Sequence, residues 1–121
     1  MKFTRETSAR FVVRSVSEST IRVNDDDYST SIAMTPEAVL GEWPNKPIIE
    51  LVAEDFCDIF DTSPELVLLG TGPTNIFPPR ELMFAFARRG IGFEVMDTPA
   101  AARTFNVLAN EGRRVAVILS I

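Results

Sequence analysis

Apolar and polar positions follow two different rules along this chain. Between residues 11 and 34 they come in short β-branched runs that alternate with polar residues. From residue 65 onward they gather into continuous apolar blocks, separated by stretches with a helical repeat. In the front region, Phe11 to Val16 and Ser19 to Val23 read as strands, and Asn24-Asp25-Asp26-Asp27 is a strong turn signal. After it, Tyr28, Thr30, Ile32 and Met34 fall on one side of an extended chain and Ser29, Ser31 and Ala33 on the other. That period of two predicts a half-buried third strand, and a hairpin of Ser19–Val23 with Tyr28–Met34.

The middle of the chain is less regular. Thr35-Pro36-Glu37 predicts a helix start, with Thr35 as N-cap and Pro36 at the first helical position, stopped soon after by Gly41, Pro44 and Pro47. Trp43 between the prolines reads as a packing lid. Ile48 to Leu51 reads as a short strand, and Glu54 to Phe60 as a short amphipathic helix with Phe56, Ile59 and Phe60 turned inward.

The last part is more explicit. Leu66-Val67-Leu68-Leu69 has the unbroken apolar character of a buried parallel strand, and Gly70-Thr71-Gly72-Pro73 ends it. Pro79 opens a helix through Leu82, Met83, Phe86 and Ala87 that stops at Arg88-Arg89-Gly90, with bases at its negative end and glycine just beyond. Phe93 to Met96 is a second strand. Thr98 is read as the cap of a second helix with Pro99 in its first position, and Ala101, Phe105 and Leu108 form its apolar stripe. Gly112 ends that helix before the apolar strand Val115 to Leu119. Residues 65–121 therefore predict a β-α-β-α-β unit in a mostly parallel sheet. The front β region must cover a face of that sheet or extend an edge, giving one α/β domain over residues 1–121 with no linker and no internal repeat.

Composition narrows the chemistry. In 121 residues there is no His and a single Cys, Cys57, with 45% hydrophobic and 24% charged residues. A His-based triad, a Cys–His dyad, a His-containing zinc site and an internal disulfide are all excluded within one chain. No metal site and no cofactor is expected. Cys57 lies beside Asp58 and near Glu54 and Asp55, charges that disfavour a thiolate, so it reads as structural. Met1-Lys2-Phe3-Thr4-Arg5-Glu6 is too polar for a signal peptide, and no uncharged stretch approaches the roughly 20 residues of a membrane span. The expected location is the cytoplasm, without membrane insertion.

Net charge is −5, unevenly placed: residues 1–61 hold 12 acids and 6 bases, residues 62–121 hold 5 acids and 6 bases. An acidic chain argues against nucleic-acid binding. The acidic front is either a solvated face or a surface for a basic partner, and Asp25-Asp26-Asp27 lacks the alternating ligand spacing of a calcium loop.

Two clusters could carry ligand chemistry. Gly70-Thr71-Gly72 follows a buried strand, and Asp97 ends the next one, as in a dinucleotide fold. The third glycine of that fingerprint is replaced by Asn75, and Pro73, Pro78 and Pro79 separate the turn from its helix. The simpler reading is a tight turn that needs positive φ. Asp97, Thr98, Arg103, Thr104, Asn106, Glu111 and Arg113 form the second cluster. A crevice between Gly70-Thr71-Gly72 and Asp97-Thr98 could take a small anion or nucleotide, with Arg103 as the anion contact and Asn106 and Glu111 as further candidates. The simpler reading makes Thr98 a helix cap and Arg103 a surface ion-pair partner. Asp97 and Glu111 have no partner in the sequence pattern that would make them an acid–base pair, so no catalytic residue is assigned.

Leu68-Leu69-Gly70-Thr71-Gly72, Gly90-Ile91, Glu94-Val95-Met96-Asp97-Thr98, Ala101 to Leu108 and Glu111-Gly112-Arg113-Arg114-Val115 together resemble one small-domain family. It was long catalogued as a domain of unknown function and includes mitochondrial complex I (NADH dehydrogenase) assembly factor 3 and the Mth-type adipogenesis-associated domain protein. The motif-rich likeness spans about residues 66–119, and a weaker one in the hairpin and around Pro36 and Trp43 extends it to nearly the whole chain. The resemblance implies a three-layer α/β fold with a mixed central sheet and an added N-terminal β layer. It also implies a non-enzymatic, protein-binding role in building or maintaining a respiratory complex, here in a bacterial setting, with respiratory subunits or assembly factors as partners. Where many relatives carry Tyr and Cys in the second helix, this chain has Phe105 and Ala102, which weakens an enzymatic reading further.

Overall fold

A computed structural model describes residues 10–121. They form a single α/β domain with a three-stranded sheet and a five-stranded mixed sheet. The first sheet holds β1 (Val13–Val16), β2 (Ile21–Val23) and β3 (Asp26–Tyr28) in antiparallel order. The second has the order β5-β4-β8-β6-β7, from β4 (Ile32–Thr35), β5 (Ala38–Glu42), β6 (Leu66–Gly70), β7 (Gly92–Met96) and β8 (Val115–Leu119). The α-helices among the described residues are α1 (Cys57–Phe60), α2 (Arg80–Arg88) and α3 (Thr98–Asn110).

The predicted β-α-β-α-β unit is present, with β6 parallel to both β7 and β8. From β6 the chain steps outward to β7 through α2, then crosses back over β6 to β8 through α3. Opposite directions of travel with one handedness put the two helices on opposite faces. Accordingly α3 packs with Leu68, Val117 and Leu119, whereas Leu82 and Phe86 of α2 pack with Val67, Leu69 and Ile118. The three-stranded sheet joins α3 on the first face through Val13, Ile21 and Val23, which gives three layers. On the second face Phe56 is the hub. Its ring centroid lies 5.0 Å from Trp43 and 5.2 Å from Phe86, and Phe86 stacks on Phe93 at 4.0 Å. Aromatic contacts of this kind contribute about 0.5–1.5 kcal/mol each beyond the area they bury.

The chain differs from its pattern in four places, three of them in its front half. The expected strand from Tyr28 to Met34 is two strands in two sheets: β3 pairs with β2 across a turn at Asn24-Asp25, and β4 pairs with β8 and β5. Ile32 to Thr35 are buried on both faces, because β4 lies inside the sheet. Thr35-Pro36-Glu37 does not start a helix but turns the β4–β5 hairpin, with Thr35 Oγ1 accepting the Glu37 N–H at 3.2 Å. A fixed proline φ suits the corner of a turn as well as a first helical residue. Ile48–Glu50 is a turn of 3-10 helix rather than a strand, and a second one, Ala53–Phe56, runs into α1. Finally, Asp97 rather than Thr98 caps α3, so that Thr98 and Pro99 are its first two residues.

Candidate functional site

At one end of the five-stranded sheet the C-terminal ends of β6, β7 and β8 meet in register, with Gly70 opposite both Met96 and Leu119. The residues just past them are laced together. The Thr71 N–H donates to the Met96 carbonyl at 2.9 Å, and the Ser120 N–H to the Gly70 carbonyl at 3.3 Å. Thr98 is buried at the centre. Its hydroxyl donates to the Ser120 carbonyl at 2.7 Å and accepts the Gly72 N–H at 2.8 Å, while its own N–H donates to the Gly72 carbonyl at 2.8 Å. The Thr71 hydroxyl donates to the Thr74 carbonyl at 2.6 Å and accepts the Ile76 N–H at 3.1 Å.

Both glycines have a reason. A Cβ on Gly70 would stand 2.9 Å from the Ile118 carbonyl oxygen and 3.0 Å from Thr98, so only glycine lets α3 approach the strand end this closely. Gly72 has φ +104°, where a side chain would be strained.

The start of α3 already holds a carboxylate. Asp97 Oδ1 accepts the Ala100 N–H at 2.8 Å, and the Asp97 carbonyl accepts that of Ala101 at 2.9 Å. Pro99 has no N–H, and that of Thr98 goes to Gly72. The donors that would receive an anion at this helix start, and those of the glycine turn, are spent inside the protein.

Of the eight ligand candidates, Gly70, Thr71, Gly72, Asp97 and Thr98 come together. Arg103 lies one and a half turns along α3 on its exposed side. Asn106 faces β1 and binds the Val13 backbone twice, with Oδ1 accepting its N–H at 3.0 Å and Nδ2 donating to its carbonyl at 2.9 Å. Glu111 ends the helix, about 20 Å from Thr98 at 1.5 Å rise per residue. Arg113 pairs with Glu65 at 2.6 Å, and Thr104 donates to the Met96 sulfur at 3.6 Å. Asn106 and Glu111 are therefore parts of the scaffold around α3, away from the crevice.

Two carboxylates are held in the ionised form elsewhere. Burial opposes ionisation of Asp55, but the Lys46 ammonium at 2.8 Å and the Val52 N–H at 2.9 Å outweigh it and hold the group below the usual carboxylate range. Glu65 is lowered by its hydrogen bond from Arg113 and by the Arg114 N–H. Cys57 is an exposed free thiol. Among the described residues no cluster of three or more His, Cys, Asp or Glu could hold a metal ion, and no helix is long and apolar enough to cross a membrane.

What the strand ends present outward is apolar. A groove of about 410 Å³ lies between the segment from Trp43 to Ile49 and that from Thr71 to Ile76, bounded by Pro44, Pro47 and Pro73. Ile49 and Ile76 are 65% and 40% exposed along it. Two recesses adjoin it around Ile121: one of about 550 Å³ that includes Glu18 and Glu42, and one of about 390 Å³ lined by Val16, Gly72 and Pro99. No sequence motif marks this surface, because its walls come from three distant segments. Its one legible signal is Trp43 followed by Pro44 and Pro47.

These features define a small three-layer α/β domain whose turn motifs serve packing and whose open strand ends form an apolar groove. The chain belongs to the family described as "Protein of unknown function (DUF498/DUF598)", which it matches over residues 13–120. A crystal structure of a Bordetella parapertussis protein superposes with a TM-score of 0.83 at 35% identity, covering 91% of this chain and 94% of that one. The Francisella tularensis "13 kDa major membrane protein" is 30% identical over 98 residues, 80% of each chain. The zebrafish (Danio rerio) NADH dehydrogenase (ubiquinone) 1 alpha subcomplex assembly factor 3 is 32% identical over 117 residues, 95% of this chain and 67% of the relative.

Proposed function

We propose that this protein is a non-enzymatic interaction factor that assists assembly or maintenance of a respiratory NADH dehydrogenase complex. The observation that carries the reading is the contrast at the strand ends: polar groups that could bind or activate a substrate are bonded to one another, while Ile49 and Ile76 stand open to a partner. Likeness to the assembly factor over nearly the whole chain supports the choice of partner. Large exposed apolar side chains along a groove are typical of protein-binding surfaces. Arg103, exposed on α3, is not needed for this role.

Affinity purification from gently solubilised membranes tests it. Dehydrogenase subunits or their assembly partners should be recovered with the tagged protein. A tagged protein that recovers none of them would overturn the respiratory assignment.

A further inference from the structure

The geometry points to the groove beside Trp43 as the docking site for a cationic segment of a partner protein, one that carries apolar side chains between Lys or Arg residues. This rests on the interaction-factor reading and names the surface and the chemistry of its occupant. Trp43, Pro44, Ile49, Pro73, Ile76 and Ile121 give the floor and walls an apolar character. The charges around it have one effective sign. Glu18 and Glu42 are exposed in the adjoining 550 Å³ recess, and Glu18 also borders the 390 Å³ one. The base in the groove lining is Lys46, and Asp55 neutralises it at 2.8 Å. Glu50, next to Ile49, is exposed as well.

An apolar strip whose rim carboxylates have no ion pair among the described residues favours apolar side chains flanked by positive charge, and it repels acidic segments and anionic lipid headgroups. The front-half acidity thus has two parts. Asp25, Asp26 and Asp27 lie at the β2–β3 turn, at the opposite end of the three-stranded sheet from Glu18 in the β1–β2 turn. It is the Glu18–Glu42 end that adjoins the groove beside Trp43.

Trp43 is the single tryptophan of the chain, so its fluorescence reports on the groove directly. The probes are a tryptophan-free peptide of alternating leucine and lysine and its leucine–glutamate counterpart. The lysine peptide should shift the Trp43 emission saturably and bind at least about tenfold more tightly than the glutamate peptide. Glu18→Gln with Glu42→Gln should weaken it several-fold and flatten its salt dependence. Ile49→Ser with Ile76→Ser should weaken it by about tenfold or more. Asp25→Asn with Asp26→Asn should leave binding unchanged, which separates docking from general attraction to an acidic protein.

Equal binding of the two peptides, insensitivity to the isoleucine pair, or equal weakening by the distal aspartate pair would overturn the proposal. So would preferential binding to anionic vesicles over the lysine peptide. Failure to recover dehydrogenase subunits, with peptide binding intact, would remove the respiratory assignment and leave the groove. Recovery of those subunits by the isoleucine-pair variant as well as by the wild type would remove the groove and leave the assignment.

Discussion

Asn106 on α3 holds Val13 on β1 by both of its backbone groups, accepting the N–H at 3.0 Å and donating to the carbonyl at 2.9 Å across 93 residues of chain. A side-chain amide offers one acceptor and two donors, so it can stand in for a neighbouring strand. Through this clamp the three-stranded sheet is fastened to the helix that packs on the main sheet.

Replacing Asn106 by Ala should cost about 2–3 kcal/mol, from two hydrogen bonds lost and two partly buried backbone groups left without partners. Asn106→Asp should be at least as damaging at neutral pH, because it sets a carboxylate against the Val13 carbonyl. Urea unfolding gives the energy, and hydrogen exchange should show protection falling further at Val13 than at the Leu68 amide, which loses no more than the global change. A loss spread evenly over both sheets would contradict the clamp.

Thr98 and Gly70 make the next test. Thr98→Val keeps the shape but removes the hydroxyl that joins Gly72 to Ser120, and should cost about 1–3 kcal/mol. Thr98→Ser should recover most of it. Gly70→Ala forces a methyl group to within 2.9 Å of the Ile118 carbonyl oxygen and should cost about 1–3 kcal/mol by overpacking. Thermal unfolding of the three variants is sufficient, and full stability of Gly70→Ala would refute the close contact.

Asp55 and Glu65 both have folded-state values lowered by their partners. A lowered carboxyl contributes stability above the unfolded value, near pH 4, and loses it as the pH falls through the folded value. Asp55→Asn and Glu65→Gln should therefore be less stable than wild type at pH 7 and converge with it near pH 2. Glu65 is the more exposed, so its difference should shrink more in high salt. Denaturation curves across that pH range provide the check. A gap that persists undiminished at pH 2 would contradict the ion pairs as its source.

How much of this was legible in the sequence depended on whether local signals agreed with tertiary ones. β6 and β8 are buried on both faces, so they read as unbroken apolar runs, and Gly90 and Gly112, at φ +70° and +81°, mark where α2 and α3 stop. The front was harder because segment 28–34 keeps one alternating pattern across a change of sheet. Ser31 sits at the crossover between β3 and β4 and is tied to Trp43 and Ile121, contacts with no local signature. Thr35-Pro36-Glu37 carries the letters of a helix cap yet turns a hairpin, because β4 finds its partner in β8, more than 80 residues away. At the site, the glycine turn and Asp97-Thr98 were found together. What their polar atoms do was decided by Ser120 and Ala100, and what the Asn106 amide does by Val13, which no motif connects to them.

The role proposed for this chain is to serve a respiratory NADH dehydrogenase through the groove beside Trp43. Native-gel quantification of that complex in a deletion strain, complemented with wild type or with Ile49→Ser/Ile76→Ser, tests it most directly. Deletion should deplete the assembled complex, wild type should restore it, and the groove variant, expressed to the same level, should not. Normal amounts of assembled complex in the uncomplemented deletion strain would contradict it.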